Sequence, residues 1–260
     1  MRPFVSIILT THERPHLLAR SLASLVNQTN PNFQIVVCAD EGSTQTKNVA
    51  TQYLRKTDVL LVLPHLRGPA ETRNAGIEFS AARRIMFLDD DDSFDLNFMA
   101  DLSSILDANP INDLLYFNYS KIEESTNENN PGPAKIEKVV QKYKNSESLL
   151  VGNFIPNNSY CVDALVARKC PFDSRLQSHE DWDFLRGISA LVNFKWIDMF
   201  GPNVHLAPNS SRNSSPHSTG SVSLDFLSIY RKWPAKDDKT KLLRQAQLRA
   251  YGVDVSLQFL

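Results

Sequence analysis

Residues 85–92 read Ile-Met-Phe-Leu-Asp-Asp-Asp-Asp, an uninterrupted apolar run followed at once by four aspartates. A short run that is apolar at every position is typical of a strand buried on both faces of a parallel sheet. Four adjacent carboxylates repel one another unless cations or hydrogen-bond donors compensate them. Carboxylate oxygens suit Mg²⁺ or Mn²⁺, ions that also hold substrate phosphates. We therefore predict a functional site here, in preference to a solvated acidic turn whose aspartate caps the next helix.

Similar apolar runs occur upstream, at residues 5–9, 34–39 and 59–63. Helical patterns lie between consecutive apolar runs. The clearest are the leucines of residues 15–25 and the stretch at 69–82. Strands that alternate with helices and are apolar throughout predict an α/β fold, with a parallel sheet covered by helices on both faces.

Three of these predicted strands end in polar clusters, at residues 10–12, 40–43 and 89–92. In open α/β sheets, ligands bind outside the carboxyl ends of the strands. The sequence therefore predicts one shared binding site at this edge of the sheet.

The composition excludes several classes of protein. The chain has 260 residues, of which 42% are hydrophobic and 22% charged, and its formal net charge is -1. Nucleic-acid-binding proteins usually carry a basic excess, so we predict no nucleic-acid partner. The cysteines, Cys38, Cys161 and Cys170, lack metal-ligand spacing and favour a reduced, cytoplasmic protein. No apolar run approaches the roughly 18–20 residues that span a bilayer.

Five segments resemble, in order, the family 2 glycosyltransferases of the GT-A fold. They are residues 5–14 (VSIILTTHER), 40–43 (DEGS), 68–76 (GPAETRNAG), 87–92 (FLDDDD) and 179–183 (HEDWD). The resemblance implies a Rossmann-like fold, with a mostly parallel central sheet and a smaller acceptor-side region. It also implies a domain at residues 1–220, whose half at 1–119 binds the nucleotide sugar and whose half at 120–220 binds the acceptor and carries the catalytic groups. A C-terminal helical extension at 221–260 would follow.

The same resemblance implies roles for the donor-side residues. Asp40 would accept a hydrogen bond from uracil, Arg73 would lie against the nucleotide or its phosphates, and Asp89 would hold the ribose. Asp91 would bind the metal, Mn²⁺ or Mg²⁺. The residues expected to line the nucleotide pocket are Thr10, His12, Glu13 and Arg14.

Three acidic residues depart from the family pattern or are less certain within it. Asp90, counted with the nucleotide-binding residues, stands where the family commonly has a small residue and is expected to face solvent. Asp92 is expected to cap the next helix. Glu41 replaces a residue that is commonly Asp or Asn, which leaves the selectivity for the base open.

Catalysis requires a carboxylate that is separate from the metal site, because inverting transfer needs a base for the acceptor hydroxyl. Asp181 resembles the family's base and Glu180 is its neighbour. Alternatively, both simply enrich the first turn of the predicted helix at 181–191, where the helix dipole favours anions. Trp182 either forms a wall for the acceptor sugar or belongs to the core.

Two histidines compete as helpers of the metal. His205 is similar to a histidine that the family often places after its last core strand, and His217 lies in a polar stretch at residues 207–221. We prefer His205. Together with residues 123–134, that stretch is predicted to form a loop that selects the sugar and the acceptor.

The C-terminal tail carries basic and apolar side chains, and its basic residues include Lys239, Lys241, Arg244 and Arg249. A helix is predicted in this tail at residues 240–251. Such a helix could make a peripheral contact with the inner face of a membrane. Packing on the domain with a solvated basic face is the preferred alternative.

The sequence as a whole predicts a metal-dependent, inverting hexosyltransferase of bacterial-type surface polysaccharide synthesis. The donor would be a UDP-sugar, and the acceptor a hydroxyl of a glycan or lipid-linked saccharide. A metal-dependent phosphohydrolase is one alternative, although Ser93 does not fit the Asp-x-Asp-x-Thr/Val layout of haloacid-dehalogenase-like phosphatases. A nucleotide-sugar-binding protein without activity is the other.

Overall fold

The computed structural model of the chain describes residues 2–64, 66–108, 113–124, 134–142, 144–206 and 221–260. Most of the two loops predicted to select substrates, together with His217, lies outside the described residues.

The described elements alternate strongly between strand and helix in the first half of the chain. The strands are β1 (Val5–Thr11), β2 (Gln34–Asp40), β3 (Val59–Leu63), β4 (Arg84–Asp89), β5 (Ser93–Phe94), β6 (Leu114–Phe117), β7 (Tyr119–Glu123), β8 (Lys135–Val139), β9 (Tyr160–Asp163), β10 (Phe194–Ile197) and β11 (Pro202–Leu206). The α-helices are α1 (Pro15–Val26), α2 (Thr44–Tyr53), α3 (Gly68–Glu78), α4 (Phe98–Ala108), α5 (Ala164–Lys169), α6 (Glu180–Ser189), α7 (Ser221–Lys232) and α8 (Asp238–Ala250). Short 3₁₀-helices occupy Ser146–Leu150 and Leu257–Phe259.

Seven strands form the central sheet, in the order β10-β6-β9-β4-β1-β2-β3. All neighbouring pairs are parallel except those that β9 makes with β4 and β6, which are antiparallel. β9 thus separates the first four strands from β6 and β10. The predicted mostly parallel α/β sheet is confirmed.

Both faces of the sheet are covered, as continuously apolar strands require. Ile7 and Leu9 of β1 face Leu18 and Leu22 of α1, within a cluster that also includes residues of α4. Ile8, which points to the other face, packs in a second cluster with residues of α3, α5, α6, α7 and α8. The alternation of side chains along each strand therefore divides the core into two layers.

A second, smaller sheet has the order β5-β11-β7-β8 and takes its strands from residues 93–206. The chain passes from the central sheet to the small one at Asn118, between β6 and β7. The Asn118 side chain is buried, accepts from the Gln141 backbone N–H and from Trp196 Nε1, and donates to Asp198 Oδ1. Where the backbone leaves the hydrogen-bonding pattern of the central sheet, the side-chain amide of Asn118 thus supplies hydrogen bonds instead.

α3 lies unusually close to the sheet because of Gly76. A Cβ at this position would lie 2.4 Å from Ile8 Cγ2 and 2.9 Å from Cys38 Sγ. Only glycine allows this separation, which brings the polar residues of α3 against the ends of β1, β2 and β4.

The C-terminal helices share the core of the rest of the chain. Phe226 and Tyr230 of α7 and Leu248 of α8 are buried in the same cluster as residues of α6. The prediction that Arg244 belongs to a solvated basic face is wrong. It is 1% exposed, and its guanidinium donates to the carbonyls of Leu150 and Trp233. Every helix among the described residues is too short or too polar to cross a bilayer.

Candidate active site

The acidic run at the end of β4 is compensated by donors from three other elements. Asp89 Oδ1 accepts from Arg73 Nη2 at 2.9 Å and from Thr10 Oγ1 at 3.2 Å. Asp90 Oδ2 accepts from Thr11 Oγ1 at 2.6 Å, and Arg14 forms an ion pair with the same carboxylate. The repulsion expected for adjacent carboxylates is therefore relieved within the protein.

Two of the four aspartates differ from their predicted places. Asp90 does not face solvent: it is fully buried, because Thr11 and Arg14 bind it. Asp92 caps no helix. Its Oδ2 accepts from Asn158 Nδ2 at 3.0 Å and its Oδ1 from the His205 backbone N–H at 3.1 Å, so it joins the acidic run to β11.

Burial and charge act differently on the first two carboxylates. Burial opposes ionisation of Asp89, but the Arg73 guanidinium and the hydrogen bonds from Arg73 and Thr10 outweigh it, and the pKa of Asp89 lies below its usual range. Burial raises the pKa of Asp90 to about 6, against the opposing effects of Thr11 and Arg14.

Asp91 is the most accessible carboxylate of the run. Its side chain is 42% exposed, and Arg14 Nη1 contacts its Oδ2 at 3.3 Å. Among the four aspartates, only Asp91 has a carboxylate that is both this exposed and held by a single long contact to Arg14.

The loops after β1 and β2 are tied together beside the run. His12 Nδ1 lies 2.9 Å from the Asp40 carbonyl oxygen, and Glu13 Oε1 accepts from the Ser43 backbone N–H at 2.6 Å. Both carboxylate oxygens of Asp40 accept backbone N–H groups at 2.8 Å, those of Arg67 and Gly68. Asp40 thus binds the N-terminus of α3, where the helix dipole favours an anion, and its predicted contact with uracil stays a prediction.

Arg73 connects the acidic run to the start of α6. Its side chain is 7% exposed, and besides Asp89 it binds Glu180 Oε1 through Nη1 at 2.5 Å. Its guanidinium also lies 5.5 Å from the centroid of the Phe172 ring. Because one guanidinium bridges the end of β4 and the start of α6, residues that are far apart in sequence form a single site.

Asp181 is the predicted base, and it lies in the first turn of α6. Asn153 Nδ2 donates to its Oδ2 at 2.8 Å, and the Trp182 backbone N–H donates to its Oδ1 at 2.7 Å. Burial, assisted by the adjacent Glu180 carboxylate, raises the pKa of Asp181 to about 7 against the effect of Arg73. A carboxylate in this range suits proton transfer near neutral pH.

Trp182 belongs to the core and forms no wall of the site. Its side chain is fully buried, and its Nε1 donates to the Leu149 carbonyl at 2.8 Å.

Strained backbone is concentrated at the site. The non-glycine residues with positive φ in the described chain are Glu13 (49°), Glu41 (61°) and His179 (61°). The first two follow β1 and β2, and the third immediately precedes Glu180. Left-handed backbone costs free energy in such residues, and it occurs often where a fold positions functional groups.

His205 lies at the edge of the site, with partners on both ring nitrogens. Nε2 lies 2.8 Å from Ser93 Oγ, and Nδ1 lies 3.2 Å from Glu124 Oε1. Burial, with a contribution from Arg20, lowers the pKa of His205 despite Glu124. Arg20 binds both Glu124 and the Asp91 carbonyl, so His205 is connected to the acidic run.

The donor set fits a divalent cation only in part. Asp91 offers an accessible carboxylate, the hard oxygen ligand that Mg²⁺ and Mn²⁺ prefer. His205 would have to lose a partner before it could bind a metal. Within the described residues, no cluster of three or more His, Cys, Asp or Glu side chains could hold an ion.

Several site residues escaped the sequence analysis. Arg20 and Ser21 of α1 bind backbone carbonyls of the acidic run, and Glu124, Asn153 and Asn158 contact His205, Asp181 and Asp92. Ser21 gave a signal, since it is a polar residue among Leu18, Leu22 and Leu25 on the buried face of α1. Glu124, Asn153 and Asn158 lie in irregular segments, where no periodicity marks them, and the position of Arg20 on α1 does not distinguish it from a solvated basic residue.

Comparison with protein families gives a match over residues 6–160 to the family described as glycosyl transferase family 2. The match covers more than half of the chain. The protein belongs to glycosyl transferase family 2. This membership decides against the phosphohydrolase alternative.

Curated family 2 relatives align over parts of the chain. A protein of Escherichia coli, the UDP-Glc:α-D-GlcNAc-diphosphoundecaprenol β-1,3-glucosyltransferase WfgD, is 30% identical over 122 residues, which are 47% of this chain and 48% of WfgD. The uncharacterized glycosyltransferase MJ1057 of Methanocaldococcus jannaschii is 26% identical over 76% of this chain and 69% of its own. The aligned part of this chain spans about half the length of WfgD. It spans 13% of a second relative, an uncharacterized glycosyltransferase of Rickettsia bellii.

Solved structures of Staphylococcus aureus TarS share the fold of this family 2 glycosyltransferase. The complex of TarS 1-349 with UDP-GlcNAc superposes with a TM-score of 0.69 at 15% identity, covering 95% of this chain and 72% of that one. The complex with UDP gives a TM-score of 0.63 at 15% identity, covering 96% and 72%. The predicted Rossmann-like GT-A fold is confirmed.

Proposed function

We propose that this family 2 glycosyltransferase catalyses inverting transfer of a sugar from a UDP-sugar to a hydroxyl of a glycan or lipid-linked saccharide. The observation that carries the proposal is the Arg73 bridge between Asp89 and Glu180. It sets the acidic strand end predicted to hold the donor beside Asp181, whose pKa suits a base. A site for binding alone would not need the second carboxylate.

Names of the relatives support this choice of substrates. Besides WfgD, a Campylobacter jejuni relative that is 34% identical over 35% of this chain is named GalNAc(5)-diNAcBac-PP-undecaprenol β-1,3-glucosyltransferase. A Bacillus spizizenii relative, 31% identical over 34% of the chain, is named poly(ribitol-phosphate) β-glucosyltransferase. TarS has been solved with UDP and with UDP-GlcNAc. We infer a place in surface polysaccharide synthesis, and the β-linkages named for the relatives favour inversion.

In the proposed reaction, Asp181 takes the proton of the acceptor hydroxyl while the acceptor oxygen bonds to the anomeric carbon of the donor. The bond from that carbon to the diphosphate oxygen breaks, and its electron pair leaves with UDP. Asp89 and Asp40 hold the nucleoside, and Thr10, His12, Glu13 and Arg14 line its pocket. Arg73 fixes Glu180 and thereby the first turn of α6.

A divalent cation, Mn²⁺ or Mg²⁺, would be held by Asp91 together with the donor's phosphate oxygens. When bound, such an ion supplies positive charge that stabilises the departing diphosphate. A single carboxylate ligand from the protein agrees with the usual binding of Mg²⁺ through one or two carboxylates and substrate phosphates.

Calorimetric titration of UDP with and without Mn²⁺ tests the donor side. We expect binding that strengthens with Mn²⁺, and Asp91→Asn to lose that enhancement. Metal-independent binding, identical in the variant, would refute the role of Asp91 while leaving the transferase function open.

Incubation with a panel of labelled UDP-sugars and a membrane extract tests transfer itself. Asp181→Asn should abolish transfer and leave the binding of UDP unchanged. Full activity in this variant would refute the base, and the absence of turnover with every donor would favour the non-catalytic alternative.

We also propose that α8 makes a peripheral contact with a membrane. Its exposed Leu242 and Leu243 lie beside Lys239 and Lys241, a pattern that suits an anionic membrane surface at the cytoplasmic face. Co-sedimentation with anionic vesicles should be lost in a double Leu242→Glu, Leu243→Glu variant. Equal sedimentation of both proteins, or none with the native one, would contradict this contact.

A further inference from the structure

Asn153 has an amide whose orientation is fixed by its two partners. Its Oδ1 accepts from the Ile155 backbone N–H at 3.0 Å, and its Nδ2 donates to Asp181 Oδ2 at 2.8 Å. A backbone N–H can only donate and a carboxylate can only accept, so the alternative amide orientation would lose both bonds. The amide therefore presents its N–H to the carboxylate of Asp181.

With this bond, each carboxylate oxygen of Asp181 has one donor. Oδ1 is held by the Trp182 backbone N–H, which belongs to α6 itself, and Oδ2 by Asn153 from outside the helix. Two donors on different oxygens fix the plane of the carboxylate. Each oxygen still has a lone pair with which it can accept a proton.

Asn153 also forms part of the wall of a groove between residues 144–154 and α8. The groove has a volume of about 660 Å³, and its lining includes Ser148, Phe154, Thr240 and Gln247. Charged and aliphatic side chains also line the groove, among them Lys144, Asp237 and Leu243, whereas Asp181 does not. Asn153 thus contacts the predicted base on one side and borders this groove on the other.

We propose that Asn153 is a positioning residue for the transfer reaction, which holds the Asp181 carboxylate in the orientation that removes the acceptor's proton. The inference rests on the proposed function and adds a residue that it does not require. Asn153 itself exchanges no proton with the substrate. Its amide N–H stabilises the carboxylate before and during the approach of the acceptor hydroxyl.

Charged groups around Asp181 come from several elements. They are Glu180 on α6, Arg73 on α3 and Asp89 at the end of β4, and the hydroxyl of Tyr160 on β9 also faces it. Lys144 and Glu147 line the groove from the segment of Asn153, and Asp237 and Lys239 line it from the α8 side. Replacement of Asn153 by alanine leaves all of them in place, so a change in proton affinity can be assigned to the lost N–H.

Comparison of Asn153→Ala with Asn145→Ala separates positioning from general structural support. Asn145 lies in the same segment, where its side chain accepts from the N–H groups of Glu147 and Ser148 and caps the 3₁₀-helix Ser146–Leu150 rather than contacting Asp181. The measurement is the pH profile of UDP release from a UDP-sugar, together with the affinity for UDP.

We expect Asn153→Ala to move the rising limb of the profile upward by about one pH unit, since a hydrogen bond to a charged group has about that effect. Release of UDP should fall about fivefold at pH 7, approach a tenfold loss below pH 6 and recover at alkaline pH, with UDP affinity unchanged. Asn145→Ala should keep the native profile. An unshifted profile in Asn153→Ala, or an equal loss at all pH values in both variants, would overturn the proposal.

Carbon-13 NMR titration of the Asp181 carboxyl gives a readout that needs no turnover. If no UDP-sugar is consumed by the native protein, the proposed function fails. The NMR titration still decides between a raised pKa of Asp181 in Asn153→Ala, which supports the inference, and an unchanged one, which refutes it.

Discussion

Arg73 contacts carboxylates from two distant parts of the chain, and its side chain is nearly buried. Removal of one partner from a buried ion pair leaves the other charge uncompensated. Here two carboxylates, those of Asp89 and Glu180, would lose their counterion at once.

Arg73→Met should lower the free energy of unfolding by about 3–5 kcal/mol and abolish transfer. Urea denaturation measures the first effect. Arg175→Met is the control, because that guanidinium is exposed and its pairing with Asp173 is screened by water. Similar losses in the two variants would show that burial of the Arg73 network contributes nothing special.

The raised pKa of Asp181 also predicts how stability depends on pH. Between the pKa of an unfolded aspartate, about 4, and that of the folded chain, about 7, the native state binds a proton that the unfolded state lacks. The contribution is therefore present at low pH and lost as the pH rises through about 7.

Asp181→Asn should remove this loss, so the variant should gain melting temperature relative to the native protein as the pH is raised from 5 to 8. Melting curves at a series of pH values measure it. A constant difference between the two proteins across that range would contradict the raised pKa.

At the scale of elements, α3 depends on the absence of a side chain at one position. Gly76→Ala would place a Cβ in contact with Ile8 and Cys38, and the helix would have to move away from the sheet. Because Arg73 lies one turn earlier on α3, its bridge would be displaced as well.

Gly76→Ala should therefore lower stability by about 1–3 kcal/mol and reduce activity. Gly152→Ala is the matched control, since a Cβ there meets no atom within 4 Å. Thermal unfolding and a transfer assay measure both effects, and a fully active Gly76→Ala protein would refute the tight packing of α3.

α7 holds the segment that leads into α6, the helix that carries the predicted base. Asp225 Oδ2 accepts from the backbone N–H groups of Gln177 and Ser178, at 3.1 and 2.8 Å, and from Ser178 Oγ at 2.9 Å. These residues precede His179, whose left-handed backbone starts α6.

Asp225→Ala should reduce kcat about tenfold or more while the affinity for UDP is kept, because small displacements of a base are costly. Asp225→Asn retains an acceptor oxygen and should recover part of the rate. Asp254→Ala, at an exposed ion pair with Arg249, serves as the control. If UDP affinity falls in parallel with kcat, α7 supports the whole domain rather than the catalytic segment.

The elements themselves could be predicted to very different degrees. The apolar run Val5–Thr11 predicts a buried strand, because in a doubly covered sheet every position avoids water. Val59–Leu63 is equally apolar but forms the edge strand β3 and is only partly buried, which the local pattern does not distinguish. The change of sheet at Asn118 could not be predicted, since a local pattern shows that a stretch is extended but not which strand it pairs with. Asn118 finds its partners at Gln141, Trp196 and Asp198, which only the fold brings together.

At the scale of the whole molecule, a similar division holds for the site. Strand ends marked by Thr10, Asp40 and Asp89 predicted its position, because parallel strands place their carboxyl ends at one edge. Burial of Asp90 could not be read from the sequence, since it depends on pairing with Arg14, which lies 76 residues away. Asn153 likewise acquires its role only through its contact with Asp181.

The predicted C-terminal extension at residues 221–260 shares a core with the part of the chain before it. The ring centroids of Phe226 and Tyr230 lie 5.1 and 5.5 Å from that of Trp182 on α6. A chain truncated after residue 220 should therefore lose cooperative unfolding, as followed by circular dichroism. Replacement of the exposed Leu242 by serine should leave it intact. A stable, cooperative truncated domain would show that α7 and α8 are dispensable.

The position of β9 has a consequence for the order of assembly during synthesis. Strands β1 to β4 come from residues 5–89 and are adjacent in the sheet, so they can pair as soon as they leave the ribosome. β6 is made next but can join them only after β9, at residues 160–163, has emerged to fill the place between. A nascent chain can therefore assemble the strands around the acidic run before Asp181, the predicted base, is synthesised, and the central sheet is completed only after β9 emerges.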